Sequence, residues 1–188
     1  MAAVRTFIAF DTPADIRDDA VKLQSELKKS GAGVKWEPSD KFHVTVKFLG
    51  DVVEEELGNI IAIVENTVKN QLCFDVSYEA LGCFPGPGRP KVIWIGVRSL
   101  DGRLEALKDG LDSRLLPSGF EVEKRKFHPH ITLGRVKTEK NLAHLIPMLK
   151  NLNFEPHKAV IGEIAVIKSV LKPEGSIYSV LRTIQLKK

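Results

Sequence analysis

Cysteine is scarce in this sequence, and long apolar runs are absent from it. Its only cysteines, Cys73 and Cys83, are too few for a disulfide framework, and their spacing fits no cysteine-based zinc site. Residues 1–7 lack the charged leader and apolar segment of a secretory signal, and no run approaches the length of a membrane span. The sequence therefore predicts a cytoplasmic protein with reduced thiols and no membrane segment.

Charge of either sign is also not in large excess. The 28 Lys and Arg residues slightly outnumber the 24 Asp and Glu residues, which gives a formal net charge of +4. This excess permits an anionic ligand without indicating one. The 188 residues, of which 43% are hydrophobic, suffice for one globular domain or for two small lobes that share a cleft.

One short pattern is present twice. His-Val-Thr-Val begins at His43, and His-Ile-Thr-Leu begins 87 residues later at His130. Side chains alternate between the two faces of a strand, so His43 and Thr45 share one face, as do His130 and Thr132. Two such strands side by side would form a cleft that holds two groups titrating near neutral pH. This arrangement is suited to general acid–base catalysis.

The elements around the two copies repeat as well. Hydrophobic periodicity predicts helices at residues 13–28, 54–68, 100–116 and 141–149, and strands at 4–10, 42–50, 74–81, 92–97, 120–124, 127–136, 159–171 and 177–186. Each half thus contains a helix, a His-x-Thr strand, a helix and two strands in that order. We expect an α+β fold in which two similar lobes, each an antiparallel sheet backed by helices, face each other across a central cleft. Residues 1–188 are expected to form a single bilobal domain, with lobes centred on the His43 and His130 motifs.

Two basic residues follow the motifs. Strict alternation places Lys47 on the same face as His43, where it would steer phosphate or end in solvent. Arg135 falls on the face opposite to Thr132, unless a bulge at Gly134 redirects it. A guanidinium redirected in this way would clamp a phosphate with its fork of donors.

Other interpretations of the histidines are a metal site and a binding module. His128 and His130 form a His-x-His pair, but no acidic residue beside either motif stands in a ligand-like position, so proton transfer is favoured over metal binding. A nucleotide- or RNA-binding module with little catalysis would use the same cleft, with Phe84 or Phe48 stacking on a base. Binding alone, however, requires no pair of acid–base groups.

The two motifs and their arrangement resemble the 2H phosphoesterase superfamily. More narrowly, residues 42–50 and 129–135 are similar to the bacterial and archaeal RNA 2′,3′-cyclic phosphodiesterases, also known as 2′-5′ RNA ligases. The likeness spans nearly the whole chain, including the Cys83-Phe84-Pro85 segment. It implies metal-independent hydrolysis of an RNA or nucleoside 2′,3′-cyclic phosphate to a 2′-phosphate, with reversible 2′-5′ ligation in the same site.

The resemblance also implies roles for individual residues. His43 is expected to act as proton donor and His130 as proton acceptor, although the sequence alone does not order the two. Thr45, Thr132 and Arg135 are expected to bind the substrate phosphate, without a metal or other cofactor. The implied partners are RNA ends or nucleotides that carry a 2′,3′-cyclic phosphate. A monomer is expected because a cleft between two lobes needs no partner subunit.

Overall fold

The computed structural model describes residues 3–173 and 175–188, and this part of the chain contains four α-helices and nine strands. The helices are α1 (Ala14–Lys28), α2 (Leu57–Val68), α3 (Arg103–Leu115) and α4 (Leu142–Asn151). The strands are β1 (Ala3–Asp11), β2 (Val34–Trp36), β3 (His43–Val53), β4 (Phe74–Phe84), β5 (Val92–Ser99), β6 (His130–Val136), β7 (His157–Ile161), β8 (Glu163–Lys172) and β9 (Gly175–Gln185). No helix within the described residues is both long enough and apolar enough to cross a membrane.

The strands form two antiparallel sheets, each of which carries one His-x-Thr motif. In the His43 sheet the strand order is β3-β1-β8-β9, and in the His130 sheet it is β2-β6-β5-β4-β7. Helices α2 and α3 pack on each other and back the His43 sheet, whereas α1 and α4 pack together, with α4 against β4 of the His130 sheet. The predicted α+β fold with two helix-backed antiparallel sheets is confirmed.

The two sheets do not coincide with the two halves of the sequence. Strands β8 and β9 come from the second half but complete the His43 sheet, and β2, β4 and β5 come from the first half but complete the His130 sheet. At Gly162, between β7 and β8, the chain passes from the His130 sheet back to the His43 sheet. The single strand predicted for residues 159–171 is therefore wrong, because its two parts lie in different sheets.

Three local predictions also differ from the structure. Residues 120–124 form no strand, in keeping with the largely exposed side chains of this segment. Trp36, predicted in a connector, ends β2 and pairs with Gly134. Strand β6 begins at His130 and not at residue 127, since Pro129 has no N–H to donate to a ladder; its carbonyl accepts a 2.9 Å bond from the Val97 N–H.

The apolar residues of both motifs anchor their strands in the core. Val44, Val46, Ile131 and Leu133 are all at most 1% exposed and belong to one continuous hydrophobic cluster that spans both sheets. The His and Thr residues between them are only half-buried and lie on the opposite faces. Burial of the apolar face therefore fixes the direction in which the polar residues point.

Candidate active site

The two His-x-Thr strands meet at a small cavity between the sheets. Strands β3 and β6 approach each other there, and the cavity has a volume of about 120 Å³. All five site residues predicted from the sequence line it, together with three others: His43, Thr45, His130, Thr132, Arg135, Glu37, Lys41 and Tyr178. The fold thus brings together the two halves of the predicted constellation.

The two imidazoles are held in the same way. His43 Nδ1 lies 2.8 Å from the Lys41 carbonyl oxygen, and His130 Nδ1 lies 2.7 Å from the His128 carbonyl oxygen. A carbonyl oxygen only accepts hydrogen bonds, so Nδ1 of each ring must carry a proton. In both rings Nε2 is left to gain or lose a proton.

Aromatic side chains pack against both rings and shield them partly from water. Phe7 stacks on His43 with 4.9 Å between ring centroids, and Tyr178 meets the same ring edge-on at 5.2 Å. Phe84 meets His130 edge-on at 5.2 Å. Burial lowers the pKa of His43 and the pKa of His130, and the backbone carbonyl bonded to each ring only partly offsets this. Each imidazole is therefore biased toward its neutral form.

A bulge after each motif threonine controls which basic residue reaches the cavity. In β3 the partners of Ile8 and Ala9 on β1 are Lys47 and Thr45, so Val46 is the extra residue. In β6 the partners of Ile93 and Trp94 on β5 are Gly134 and Thr132, so the extra residue is Leu133. Each bulge shifts the alternation of side chains by one residue. In β3 the basic residue after the bulge is turned away from the cavity, and in β6 it is turned into the cavity.

The bulge in β3 turns Lys47 away from the cavity. The prediction that Lys47 shares a face with His43 and Thr45 is wrong, because this side chain is 1% exposed and points into the core. Its Nζ lies 2.5 Å from Asp112 Oδ1 on α3 and donates to the Glu121 carbonyl at 3.0 Å. Lys47 therefore anchors the His43 strand to α3 and to the segment before His130.

The bulge in β6 turns Arg135 into the cavity, as the sequence allowed. The extra residue is Leu133, one position before the glycine at which the bulge was expected. The Leu133 carbonyl accepts the Glu37 N–H at 2.9 Å and the Gln24 side-chain amide at 3.0 Å, which holds the bulge in place. Gly134 is required beside it, since a Cβ there would lie 2.7 Å from Val34 Cγ1 and 2.8 Å from Trp36 Cε3.

Three residues of the cavity were not predicted from the sequence. Lys41 precedes the first motif by two positions, but nothing in the pattern indicates that its side chain faces the histidines. Glu37, the only carboxylate among the lining residues, lies with its Oε1 3.8 Å from Arg135 Nε. Tyr178 comes from β9, the last strand of the chain, and its pKa is raised by burial and by the Glu37 charge. Only the crossing of β9 into the His43 sheet brings Tyr178 to this place.

A larger cavity of about 320 Å³ adjoins His130. Its walls combine aromatic rings with basic side chains, and its lining residues are Thr45, Val46, Phe84, Glu123, Arg125, Lys126, Phe127, His128 and His130. Phe84 faces this cavity, whereas Phe48 is covered by the Arg5 guanidinium, whose carbon lies 4.5 Å from the ring centroid. Of the two candidates for base stacking, the geometry favours Phe84.

The His128 and His130 rings lie 6.3 Å apart between centroids. Within residues 3–173 and 175–188, no three His, Cys, Asp or Glu residues are grouped in a way that could hold a metal ion. The described residues thus supply imidazoles for proton transfer, but no three-residue ligand set.

Known proteins share both the sequence pattern and the architecture. The family model described as "LigT like Phosphoesterase" matches this chain twice, at residues 10–94 and 95–178. The chain is 35% identical to an RNA 2′,3′-cyclic phosphodiesterase of Methanothermobacter thermautotrophicus, over 97% of this chain and 99% of that protein.

Two solved structures extend the likeness to three dimensions. A crystal structure of a Thermus thermophilus protein matches with a TM-score of 0.82 at 25% identity, covering 97% of this chain and 98% of its own. The crystal structure of E. coli LigT complexed with 3′-AMP matches with a TM-score of 0.79 at 25% identity, covering 99% of both chains.

Proposed function

This chain belongs to the LigT-like phosphoesterase family, and we propose on that premise that it is an RNA 2′,3′-cyclic phosphodiesterase that yields a 2′-phosphate. The observation that carries the proposal is the pair of imidazoles in one cavity, each with Nδ1 bonded to a backbone carbonyl and Nε2 left to exchange protons. A binding module needs no such pair, so catalysis is the better explanation.

The reaction divides between the two histidines. His130 Nε2 accepts a proton from water as the water oxygen attacks phosphorus, and the bond from phosphorus to the 3′-oxygen breaks. His43 Nε2 donates a proton to that departing oxygen, which leaves a 3′-hydroxyl and a 2′-phosphate. In ligation a 5′-hydroxyl takes the place of water and attacks the same cyclic phosphate, so the two histidines keep these roles. They exchange roles when the 3′-hydroxyl attacks a 2′-5′ linkage, which expels the 5′-oxygen and reforms the cyclic phosphate. This assignment of donor and acceptor follows the family pattern.

The remaining predicted residues would stabilise the phosphate. Thr45 and Thr132 lie on the same strand faces as the histidines, where their hydroxyls can donate to the non-bridging oxygens. Arg135 reaches the same cavity and adds a charged donor pair. The adjoining cavity behind His130 would take the nucleoside, with the base against Phe84.

Two further parts of the proposal concern the setting of the enzyme. The described cysteines Cys73 and Cys83 are free thiols, which fits the reducing cytoplasm. A monomer suffices, because both histidines and their surroundings come from one chain.

Turnover in excess EDTA tests the proposed reaction. We expect adenosine 2′,3′-cyclic phosphate to be hydrolysed at the same rate with and without the chelator, because the proton transfers use side chains only. Phosphorus NMR should identify the 2′-phosphate as the product. Loss of turnover in EDTA that returns with added Mg²⁺ or Zn²⁺ would point to a metal-dependent hydrolase, and nucleotide binding without turnover would point to a binding module.

The pH dependence of kcat/KM provides a second test. Burial lowers both imidazole pKa values in the free enzyme, and kcat/KM reports the free enzyme. One ring must be protonated and the other neutral, so kcat/KM should follow a bell centred below about pH 6.5, the ordinary imidazole pKa. It should fall at higher pH as the donor loses its proton and at lower pH as the acceptor gains one.

Arg135 allows an internal check on that profile. Its positive charge lowers the pKa of His43 and the pKa of His130, so Arg135→Gln should move the whole bell toward higher pH. A wild-type bell centred above about pH 7 would contradict the inferred direction of the shifts.

A further inference from the structure

The cavity carries more positive charge than the reacting phosphate requires. A 2′,3′-cyclic phosphate is a diester with a single negative charge, and the protonated donor imidazole already balances it. Arg135 and Lys41 also line the cavity, against the single carboxylate of Glu37. At least one cation in this cavity is therefore left for a second anion.

A further lysine extends this charge beyond the cavity. Lys35 lies directly opposite Arg135 in the pairing of β2 with β6, and cross-strand partners share a face of the sheet. Lys35 Nζ and Lys41 Nζ each lie 3.6 Å from the position that a Cβ on Gly175 would occupy. The two ammonium groups thus converge on one point at the rim of the cavity.

Two ammonium groups that converge on one point repel each other unless an anion lies between them. Within residues 3–173 and 175–188, no carboxylate lies within 4.0 Å of the Nζ of Lys35 or Lys41. Lys41 Nζ is instead placed 6.0 Å from the centroid of the Tyr178 ring, the same ring that borders His43. The lysine pair therefore adjoins the reaction centre and offers charge to a ligand.

We propose that Lys35 and Lys41 form a second phosphate subsite, which binds the phosphodiester on the 5′ side of the nucleotide that carries the cyclic phosphate. This inference rests on the proposed function. In an RNA chain that phosphodiester is one sugar away from the reacting phosphorus, whereas a free nucleoside 2′,3′-cyclic phosphate lacks it. The subsite makes the enzyme prefer the end of an RNA chain to a free cyclic nucleotide.

Three substrates distinguish the contribution of the 5′ phosphate from that of the reacting cyclic phosphate. The first is adenosine 2′,3′-cyclic phosphate, the second is the same compound with a 5′-phosphate, and the third is a short RNA that ends in a 2′,3′-cyclic phosphate. We expect kcat/KM of the wild type to be about tenfold higher for the second and third than for the first, the effect of one charge-assisted contact. The gain should lie in KM, because the 5′ phosphate is remote from the bonds that change.

Lys35→Ala tests the subsite through the preference for the 5′ phosphate. The ratio of kcat/KM for the 5′-phosphorylated to the unphosphorylated compound should fall several-fold toward one, and the plot of log(kcat/KM) for RNA against log[salt] should become shallower by about 0.7. Lys41→Ala should lower the ratio as well, and it leaves the Lys41 carbonyl in place to hold His43. Lys158→Ala is the matched control, because Lys158 is an exposed lysine on β7, at the opposite edge of the same sheet.

The outcomes are distinguishable. If the wild type hydrolyses none of the three substrates, the proposed function fails. If it hydrolyses them but Lys35→Ala keeps the wild-type ratio and salt slope, as Lys158→Ala should, then the subsite is overturned and the proposed function stands.

Discussion

Replacement of His43 or His130 by alanine is expected to lower kcat on adenosine 2′,3′-cyclic phosphate by about two to four orders of magnitude, the usual contribution of a positioned acid or base. Each ring is oriented by one backbone carbonyl and packs against aromatic side chains, so its replacement by alanine removes a positioned Nε2 from the cavity. The two residues act on one transition state. The double variant should therefore be far less impaired than the product of the two single losses predicts.

His144→Ala is the matched control for this experiment, because His144 is exposed on α4 and lies outside the cavity. It should retain wild-type turnover. Thermal unfolding of all variants would show that the fold persists. A His43 or His130 variant with near-full activity would remove that histidine from the proposed mechanism.

Asp112→Ala is expected to destabilise the fold far more than either histidine substitution does. Asp112 on α3 is 5% exposed and binds both Lys47 and Lys108, two buried lysines that have no other carboxylate partner among the described residues. Burial acts to raise the pKa of Asp112, but the hydrogen bonds from the two lysines outweigh it, and the pKa is lowered. Its removal leaves two like charges buried together, and such uncompensated burial costs about 3–5 kcal/mol.

Thermal unfolding measures this loss directly. For a chain of this size, about 1 kcal/mol shifts Tm by about 2–4 °C, so Asp112→Ala should lower Tm by about 10 °C. Asp109→Ala on the same helix is the control, because Asp109 is exposed and its side chain has no ion pair among the described residues. Equal Tm values for the two variants would contradict the expected cost of leaving Lys47 and Lys108 buried without a carboxylate.

The sequence predicts the part of this site that depends on alternation. Val44, Val46, Ile131 and Leu133 must be buried, so the direction in which His43 and His130 point follows from the pattern alone. The number of helices follows from hydrophobic periodicity, and the two-sheet architecture is expected from the repeated order of elements around the two motifs. The catalytic and binding roles of the five predicted residues remain predictions.

What alternation cannot predict is where it is interrupted. The extra residues Val46 and Leu133 are ordinary strand formers, and only the neighbouring strands and the Gln24 amide decide that they are bulged. Without the first bulge Lys47 would line the cavity, and without the second Arg135 would not. A shift of one residue thus exchanges a core anchor for a ligand-binding side chain.

The pairing of strands that are distant in the sequence also cannot be predicted from local patterns. Tyr178 lines the cavity, and β2 pairs with the His130 strand, only because successive strands of the chain lie in different sheets. Lys41 and Lys35 likewise meet at Gly175, which is distant in sequence from both. Residues of this kind are found from tertiary contacts and not from spacing.

The assembly of each sheet from distant strands has a consequence for the order in which the protein folds. Strand β1 is synthesised well before its neighbour β8 and the Tyr178-bearing β9, so the wall behind His43 stays incomplete until these two strands have also been synthesised. A nascent chain therefore carries both histidines before it has a closed site. Catalytic competence should therefore appear only once β8 and β9 have joined β1, later than the strands that carry the two histidines are available.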